Sequence, residues 1–529
     1  MNAISFLYGG SLCSQAFQPV SGGKNALSLA IERAGRFPGV SKTVVLAGEG
    51  LSLPSLEGAP AFELVRAPSW TKKSLLEAVS KREAGYDLVY FAWADCPFLD
   101  PVLAGAVADR HIRYAAEYSY ADGWPYGFAP EILSPGTSGI LYRITGDDEG
   151  CLAPARNTLF SVLQKDINAF DIEAEISSVD LRSHRLSFSA DSKRNLMLLA
   201  AFVEASGGVP SARDAESLIT GKPALLRTLP NFYAVQVSGP CPQSCEYCPY
   251  PRSGLKREGF MESGRFALLL DKIAAFSGDA VIDLSLWGEL SLHPEKMKLV
   301  SMVLARPELA LVIETSGLGW KTGELEECAR LALEKGGASR TSPLPPLSWI
   351  VSLDSAGAER YRNIRGAGFP EASECARKLL SLFPGDAYVQ AVRMTGSEDD
   401  TEQFYRFWKE ASPRGTSGVI IQKYDDFCGT LPRLQASDLS PVERQPCWHI
   451  MRDMPVLLDG TVPVCREYSV SAVPDGAANP GGVKRPYGNV FTDSLETIWS
   501  RGMRLYEEQC ACSYSGPCAE CDEYYTYNF

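Results

Sequence analysis

Cysteines carry the most legible chemistry in this sequence. Fifteen are present, and nine of them fall into two groups. The first is Cys241-Pro242-Gln243-Ser244-Cys245-Glu246-Tyr247-Cys248-Pro249. Three thiolates this close, in one loop, can converge on a single metal cluster. A closed structural zinc site or a complete ferredoxin-like cluster takes four ligands, and no fourth cysteine follows nearby. Three protein ligands leave one metal position to a reactant. The second group is Cys447, Cys465, Cys510, Cys512, Cys518 and Cys521. Asp459-Gly460, between two β-rich runs, is a hairpin signal that can bring Cys447 and Cys465 together. The other six, Cys13, Cys96, Cys151, Cys328, Cys375 and Cys428, lie singly and read as small buried apolar side chains.

The elements around the first group alternate in period. β-rich runs occur at Phe232 to Val237, Ala280 to Leu286, Ala310 to Thr315, Leu347 to Leu353, Ala387 to Met394 and Gly418 to Tyr424. Helical patterns separate them, at Phe266 to Phe276, Glu295 to Ala305, Gly323 to Glu334, Ala372 to Leu382 and Asp400 to Glu410. Strands alternating with helices imply a parallel sheet, and right-handed crossovers would curl six such units into a partial (β/α)6 TIM-like barrel over 228–432. Functional loops of such a barrel follow the strand C-termini, which is where the first cysteine group lies. An α/β pattern over 1–206, with strand-like runs at Thr43 to Leu46 and Leu88 to Phe91, reads as a separate domain. Ser206-Gly207-Gly208-Val209-Pro210 marks a break after it. Residues 440–529 are rich in Gly, Pro, Cys and Tyr, as expected of a small loop-rich module stabilised by metal.

The chain has 529 residues and a formal charge of −13, which would repel a phosphate backbone and makes nucleic acid a poor substrate. No apolar run approaches the roughly 20 residues of a membrane span. The start, Met1-Asn2-Ala3-Ile4-Ser5-Phe6, reads as a buried strand rather than a signal peptide, so the expected location is cytoplasmic. There thiols stay reduced, and clustered cysteines are metal ligands before they are disulfides.

With its spacing and the aromatic Tyr247, the first cysteine loop resembles the radical S-adenosylmethionine superfamily. Trp287-Gly288-Glu289 resembles that family's Gly-Gly-Glu segment, with Trp287 in place of the first glycine. Glu314-Thr315-Ser316-Gly317 and Ser352-Leu353-Asp354 resemble the ends of its third and fourth strands, and Tyr361-Arg362-Asn363-Ile364-Arg365-Gly366 resembles the helix that follows. The resemblance implies a 4Fe-4S cluster on Cys241, Cys245 and Cys248, with S-adenosylmethionine chelating the open iron. It also implies cofactor contacts from Tyr247, Gly288, Glu289, Ser316, Ser352 and Asp354, and a reductant such as flavodoxin or ferredoxin. The second cysteine group resembles the SPASM extension of such enzymes. This implies one auxiliary 4Fe-4S cluster on Cys447, Cys465, Cys518 and Cys521, with Cys510 and Cys512 nearby. A second auxiliary cluster and a four-thiolate zinc site are the alternatives. A peptide or protein substrate is implied first, and a nucleotide-linked or cell-envelope small molecule second.

Asp87-Leu88-Val89-Tyr90-Phe91-Ala92-Trp93-Ala94-Asp95 runs a buried strand into an acidic turn. It resembles the sugar-nucleotide cytidylyltransferases, in which two aspartates hold a divalent metal. That resemblance implies Mg2+ on Asp95 and Asp191, with a phosphate-contacting lysine at Lys24. The nucleotide loop is reduced to Tyr8-Gly9-Gly10-Ser11-Leu12, which favours a degenerate nucleotidyltransferase-like domain over an active one. Two other classes compete: an electron carrier leaves Glu289 and Asp354 unexplained, and a transferase with a structural metal tail leaves the three-cysteine loop unexplained.

Overall fold

Six strands, Phe232–Ala234, Ala280–Asp283, Leu309–Thr315, Leu347–Ser352, Ala387–Arg393 and Val419–Lys423, pair in parallel and in chain order. They form a curled half-barrel sheet with helices such as Ser263–Ser277, Lys296–Leu304 and Phe369–Leu382 in the crossovers. All six residues of Leu347–Ser352 are buried, as a parallel strand covered on both faces requires. The computed structural model describes residues 1–50, 61–337, 344–412, 418–470 and 486–525. The chain divides into two compact units, Met1–Thr228 and Leu229–Phe529.

The first barrel strand is shorter than its apolar run. Sheet pairing stops at Ala234, and beyond it Val235 bridges in parallel to Val456 while the Gln236 N–H donates to Val456 O at 2.8 Å. A segment beyond the sixth strand therefore covers the barrel's open edge, one of the ways a protein blunts an unpaired strand. Asp459-Gly460 is a tight turn, with Gly460 at φ +92° and the Leu457 N–H donating to Thr461 O at 2.8 Å. Its two arms take different partners. The stretch before it lies along the first barrel strand, whereas Thr461–Val462 pairs antiparallel with Gly488–Asn489. The hairpin expected from the dipeptide is thus a turn between two separate pairings. Buried Tyr233, Phe266, Trp349 and Trp408 belong to one core that also includes Met454, Val456, Ile498 and Trp499, so these residues beyond 440 pack with the barrel.

The other unit is a seven-stranded mixed sheet. Ala3–Gly9 lies between Val40–Gly48 and Leu88–Trp93, parallel to both, and Glu63–Ala67 extends the Val40–Gly48 side. Glu131–Leu133 runs antiparallel between Leu88–Trp93 and Tyr118–Asp122, and Ile172–Ile176 forms the far edge. The break at 206–210 lies between two helices of this unit, Lys193–Ser206 and Ala212–Gly221. Gly207 caps the first at φ +71°, and a Ser211/Asp214 capping box starts the second. No helix among the described residues is long and apolar enough to cross a membrane.

Candidate functional site

At the C-terminal mouth of the half-barrel lies a cavity of about 190 Å³. Cys241, Cys245 and Cys248 line it, together with Tyr247, Gly288, Glu289, Ser316 and Ser352. Sequence-predicted residues from four successive strand ends thus meet in one cavity. No cysteine outside the loop of three is among the lining residues. Burial pushes the Cys241 thiol up to about 12 and the Cys248 thiol to about 11, and it raises Cys245 as well, against the opposing pull of Arg365. A metal binding to such thiols would release their protons.

Two contacts seat the cysteine loop. Gly288 has φ +79°, and a Cβ there would lie 2.0 Å from Ser238 O. The Glu289 N–H donates to Pro240 O at 2.9 Å, so the second strand's loop lies directly against the backbone that leads into Cys241. Only glycine permits that approach. Trp287, where the resemblance would have another glycine, stacks on Tyr250 at 5.7 Å and donates from Nε1 to Ser469 Oγ at 3.0 Å. The second contact is the helix Ala358–Arg365. Its Ile364 and Arg365 carbonyls accept from the Glu246 N–H at 3.0 Å and the Ser244 N–H at 3.3 Å.

Glu289 is buried with its carboxylate filled by neighbours. Oε1 accepts from Thr315 Oγ1 at 2.7 Å, and Oε2 accepts from the Ser316 N–H at 2.8 Å and Ser316 Oγ at 2.7 Å. It ties the second strand end to the third. Glu314, not singled out beyond its place in a motif, also lines the cavity and accepts from Ser352 Oγ at 2.7 Å and Gln390 Nε2 at 2.8 Å.

Asp354 is not among the lining residues. Its φ of +62° turns it away from the wall that Ser352 faces. There Oδ2 accepts from Tyr247 Oη and from Arg365 Nη1, both at 2.7 Å, and Oδ1 accepts from the Val392 N–H at 2.8 Å. Arg365 also bonds Tyr247 Oη and Gln243 Oε1. Asp354 therefore holds the cysteine loop from behind. The cavity is also lined by Lys423, Asp425, Phe427 and Arg466, which the sequence did not single out although three of them end or follow the sixth strand.

A second, small cavity of about 20 Å³ is lined by Cys447, Cys465, Cys518 and Cys521, and also by Cys428. Backbone N–H groups point at two of these sulfurs, Tyr468 to Cys465 at 3.5 Å and Glu523 to Cys521 at 3.4 Å, while Gln509 Nε2 reaches Cys518 at 3.5 Å. Such donors stabilise a thiolate and tune a bound metal. Cys510 is half-buried, Cys512 is exposed, and neither lines the cavity. Reading Cys428 as an isolated apolar side chain is thus corrected, because the loop after the sixth strand carries it to the other four. Cys151 is likewise exposed rather than buried, whereas Cys96, Cys328 and Cys375 are buried as expected.

In the other unit Asp95 and Asp191 do come together, but around a cation already supplied by the chain. Arg156 donates to both Asp95 oxygens at 2.7 and 2.6 Å and to Asp191 Oδ2 at 3.0 Å, and its guanidinium lies 4.3 Å from the Trp93 ring centre. Asp191 is further occupied by Ser189 Oγ and Asn195 Nδ2. The donor set does not fit Mg2+, because the guanidinium stands where the metal charge would be. Lys24, expected to meet phosphate, pairs with Glu32 at 2.5 Å. Gly10 has no space either: a Cβ would lie 2.5 Å from Trp70. Millimolar Mg2+ is expected to leave the thermal midpoint of the wild-type chain unchanged. Arg156→Met should lower stability by about 2 kcal/mol, discounted for partial exposure, and make the midpoint rise with Mg2+. A wild-type midpoint that rises with Mg2+ would show the aspartates accepting a metal despite the arginine.

Gly288→Ala is expected to cost about 3 kcal/mol or more, since it adds left-handed strain to a clash with backbone. Thermal unfolding checks this, and a variant of unchanged midpoint would refute it.

No known family model matches the chain. An uncharacterized protein of Treponema pallidum (strain Nichols) is 36% identical over 383 residues, which cover 70% of this chain and 98% of that protein. Among solved structures, Streptococcus suis SuiB bound to precursor peptide SuiA is 12% identical with a TM-score of 0.41, covering 69% of this chain and 83% of that one. A cytidylyltransferase from Leptospira borgpetersenii is 16% identical with a TM-score of 0.34, covering 42% of this chain and 95% of that one. Likeness at this level assigns no function, which leaves the reading to the site itself.

Proposed function

We propose that this chain, which belongs to the same family as the uncharacterized Treponema pallidum protein, is a radical S-adenosylmethionine enzyme acting on a peptide or protein side chain. One observation carries the reading. Three thiols, and no fourth among the described residues, line one cavity at the mouth of a parallel half-barrel, held there by buried contacts. The donor set fits a three-cysteine 4Fe-4S cluster. Bound there with S-adenosylmethionine, that cluster supplies one-electron cleavage of the cofactor to a 5′-deoxyadenosyl radical.

The chain's own residues bind, orient and shield. Gly288 and Glu289 set the wall beside Cys241, where backbone can reach the cofactor's amino acid end. Ser316, Ser352 and Glu314 offer hydroxyl and carboxylate partners to its polar groups. Arg365, Asp354 and Tyr247 fix the loop that presents the thiols, and buried Trp287 and Phe427 exclude water. Arg466 and Lys423 also line the cavity, each paired with carboxylates. The peptide class rests on the resemblance of the second cysteine group to the SPASM extension. Cys447, Cys465, Cys518 and Cys521 would hold an auxiliary cluster that accepts an electron or positions substrate. A flavodoxin or ferredoxin would supply the reducing electron. The Arg156-filled domain serves as a binding or supporting module without transferase activity.

The test is incubation of anaerobically reconstituted, reduced protein with S-adenosylmethionine. Formation of 5′-deoxyadenosine is expected, and its absence with every reductant tried would remove the radical assignment.

A further inference from the structure

We infer that the second metal centre is a five-thiol site in which Cys428 and Cys521 are interchangeable ligands for one metal position. This rests on the reading of the second cysteine group as a metal centre, and it deepens that reading. A four-thiolate centre, whether iron-sulfur or zinc, needs four cysteines. Five line this cavity.

Four of the five belong to the region after Pro432. The fifth comes from the half-barrel itself, five residues past the end of Val419–Lys423. Its delivery is built. Phe427 and Cys428 are both left-handed, at φ +52° and +54°, a conformation that non-glycine residues hold only when their surroundings impose it. The Phe427 N–H donates to Asp425 Oδ1 at 2.7 Å and the Gly429 N–H to Asp426 Oδ1 at 3.0 Å, pinning the turn on either side of the cysteine. The result is a thiol that neighbours Cys521, both lining the small cavity. In a four-iron cluster each cysteine takes a different iron at a separate corner, so two neighbouring sulfurs compete for one of those positions. Cys447, Cys465 and Cys518 then supply the other three ligands in either state.

The arrangement gives Cys521 and Cys428 different surroundings. The Glu523 N–H donates to the Cys521 sulfur at 3.4 Å, which favours its thiolate. Cys428 follows Phe427, a lining residue of the large cavity, so the alternative ligand is the one attached directly to that cavity. Whichever thiol is not ligating remains beside the centre as a hydrogen-bond partner.

The experiment uses the full chain with Cys241, Cys245 and Cys248 all changed to alanine, so that the remaining metal reports the second centre alone. Metal and sulfide per chain are measured after anaerobic reconstitution, with electron paramagnetic resonance of the reduced protein. In this background Cys428→Ala and Cys521→Ala should each keep the metal, with Cys521→Ala shifting the resonance. The double variant, and Cys447→Ala alone, should lose it about tenfold or more. Alkylation of the loaded parent followed by mass spectrometry gives a readout that needs no variant at this centre. Label should appear on Cys428 or Cys521 but never on both in one chain. Loss of metal from either single variant, or retention in the double variant, overturns interchange while leaving the metal centre standing. Zinc in place of iron leaves interchange standing and removes the auxiliary iron-sulfur cluster. A parent that binds no metal overturns both.

Discussion

Changing Cys241, Cys245 and Cys248 together to alanine is expected to reduce 5′-deoxyadenosine formation about 10⁴-fold or more, to the background of the uncatalysed mixture, because groups that act as a unit are lost as a unit. No other soft donor lines the 190 Å³ cavity, so nothing in that wall can replace a missing thiolate. Each single alanine variant should therefore lose nearly as much as the triple. Iron bound at the second centre should remain, which separates loss of the catalytic cluster from loss of the fold. Anaerobic turnover with chromatographic detection of 5′-deoxyadenosine, alongside iron analysis, measures both. Turnover persisting in the triple variant would place the chemistry elsewhere.

Arg365→Met is expected to cost about 3–5 kcal/mol, the scale for removing one partner of a buried ion pair. Asp354 and Arg365 side chains are only 1% and 6% exposed, so the carboxylate left behind would lose its charged partner in a buried setting. The same guanidinium bonds Gln243 and Tyr247, and the backbone carbonyl of Arg365 receives the Ser244 N–H, so the loss falls on the cysteine loop directly. Asp354→Asn keeps a polar group there without its charge. The Arg365→Met, Asp354→Asn double variant should recover part of the loss, because the stranded charge is gone. Denaturant midpoints of the four proteins measure the coupling. An Arg365→Met midpoint within error of wild type would show the cysteine loop held by other means.

Strand ends were readable because the period of the apolar pattern changes there, and the motif residues lie within a few positions of each change. That logic reached Cys241, Gly288, Glu289, Ser316 and Ser352, which line one cavity. It also reached Asp354 but not its direction, since one left-handed φ decides whether a side chain faces the cavity or the loop behind it. Asp459-Gly460 gave the turn, but pairing partners come from long-range packing, and one arm's partner was 28 residues downstream at Asn489. Cys428 was read by its isolation in sequence, although the strand-end rule applied to it as well as to Cys241. Arg156 carried no local signal, because its role depends on Asp95 and Asp191 meeting across 61 and 35 positions of chain.

Consecutive residues divide themselves between the two chambers at two separate places. Phe427 borders the large one and Cys428 the small one, and Cys465 borders the small one while Arg466 reaches the large. The partition between them is therefore a single amide thick at both points, stiff along its covalent direction. Repacking one chamber is therefore expected to disturb the other, so substitutions at Phe427 or Arg466 that alter what fits in the first should register as spectral change in metal taken up by the thiols of the second.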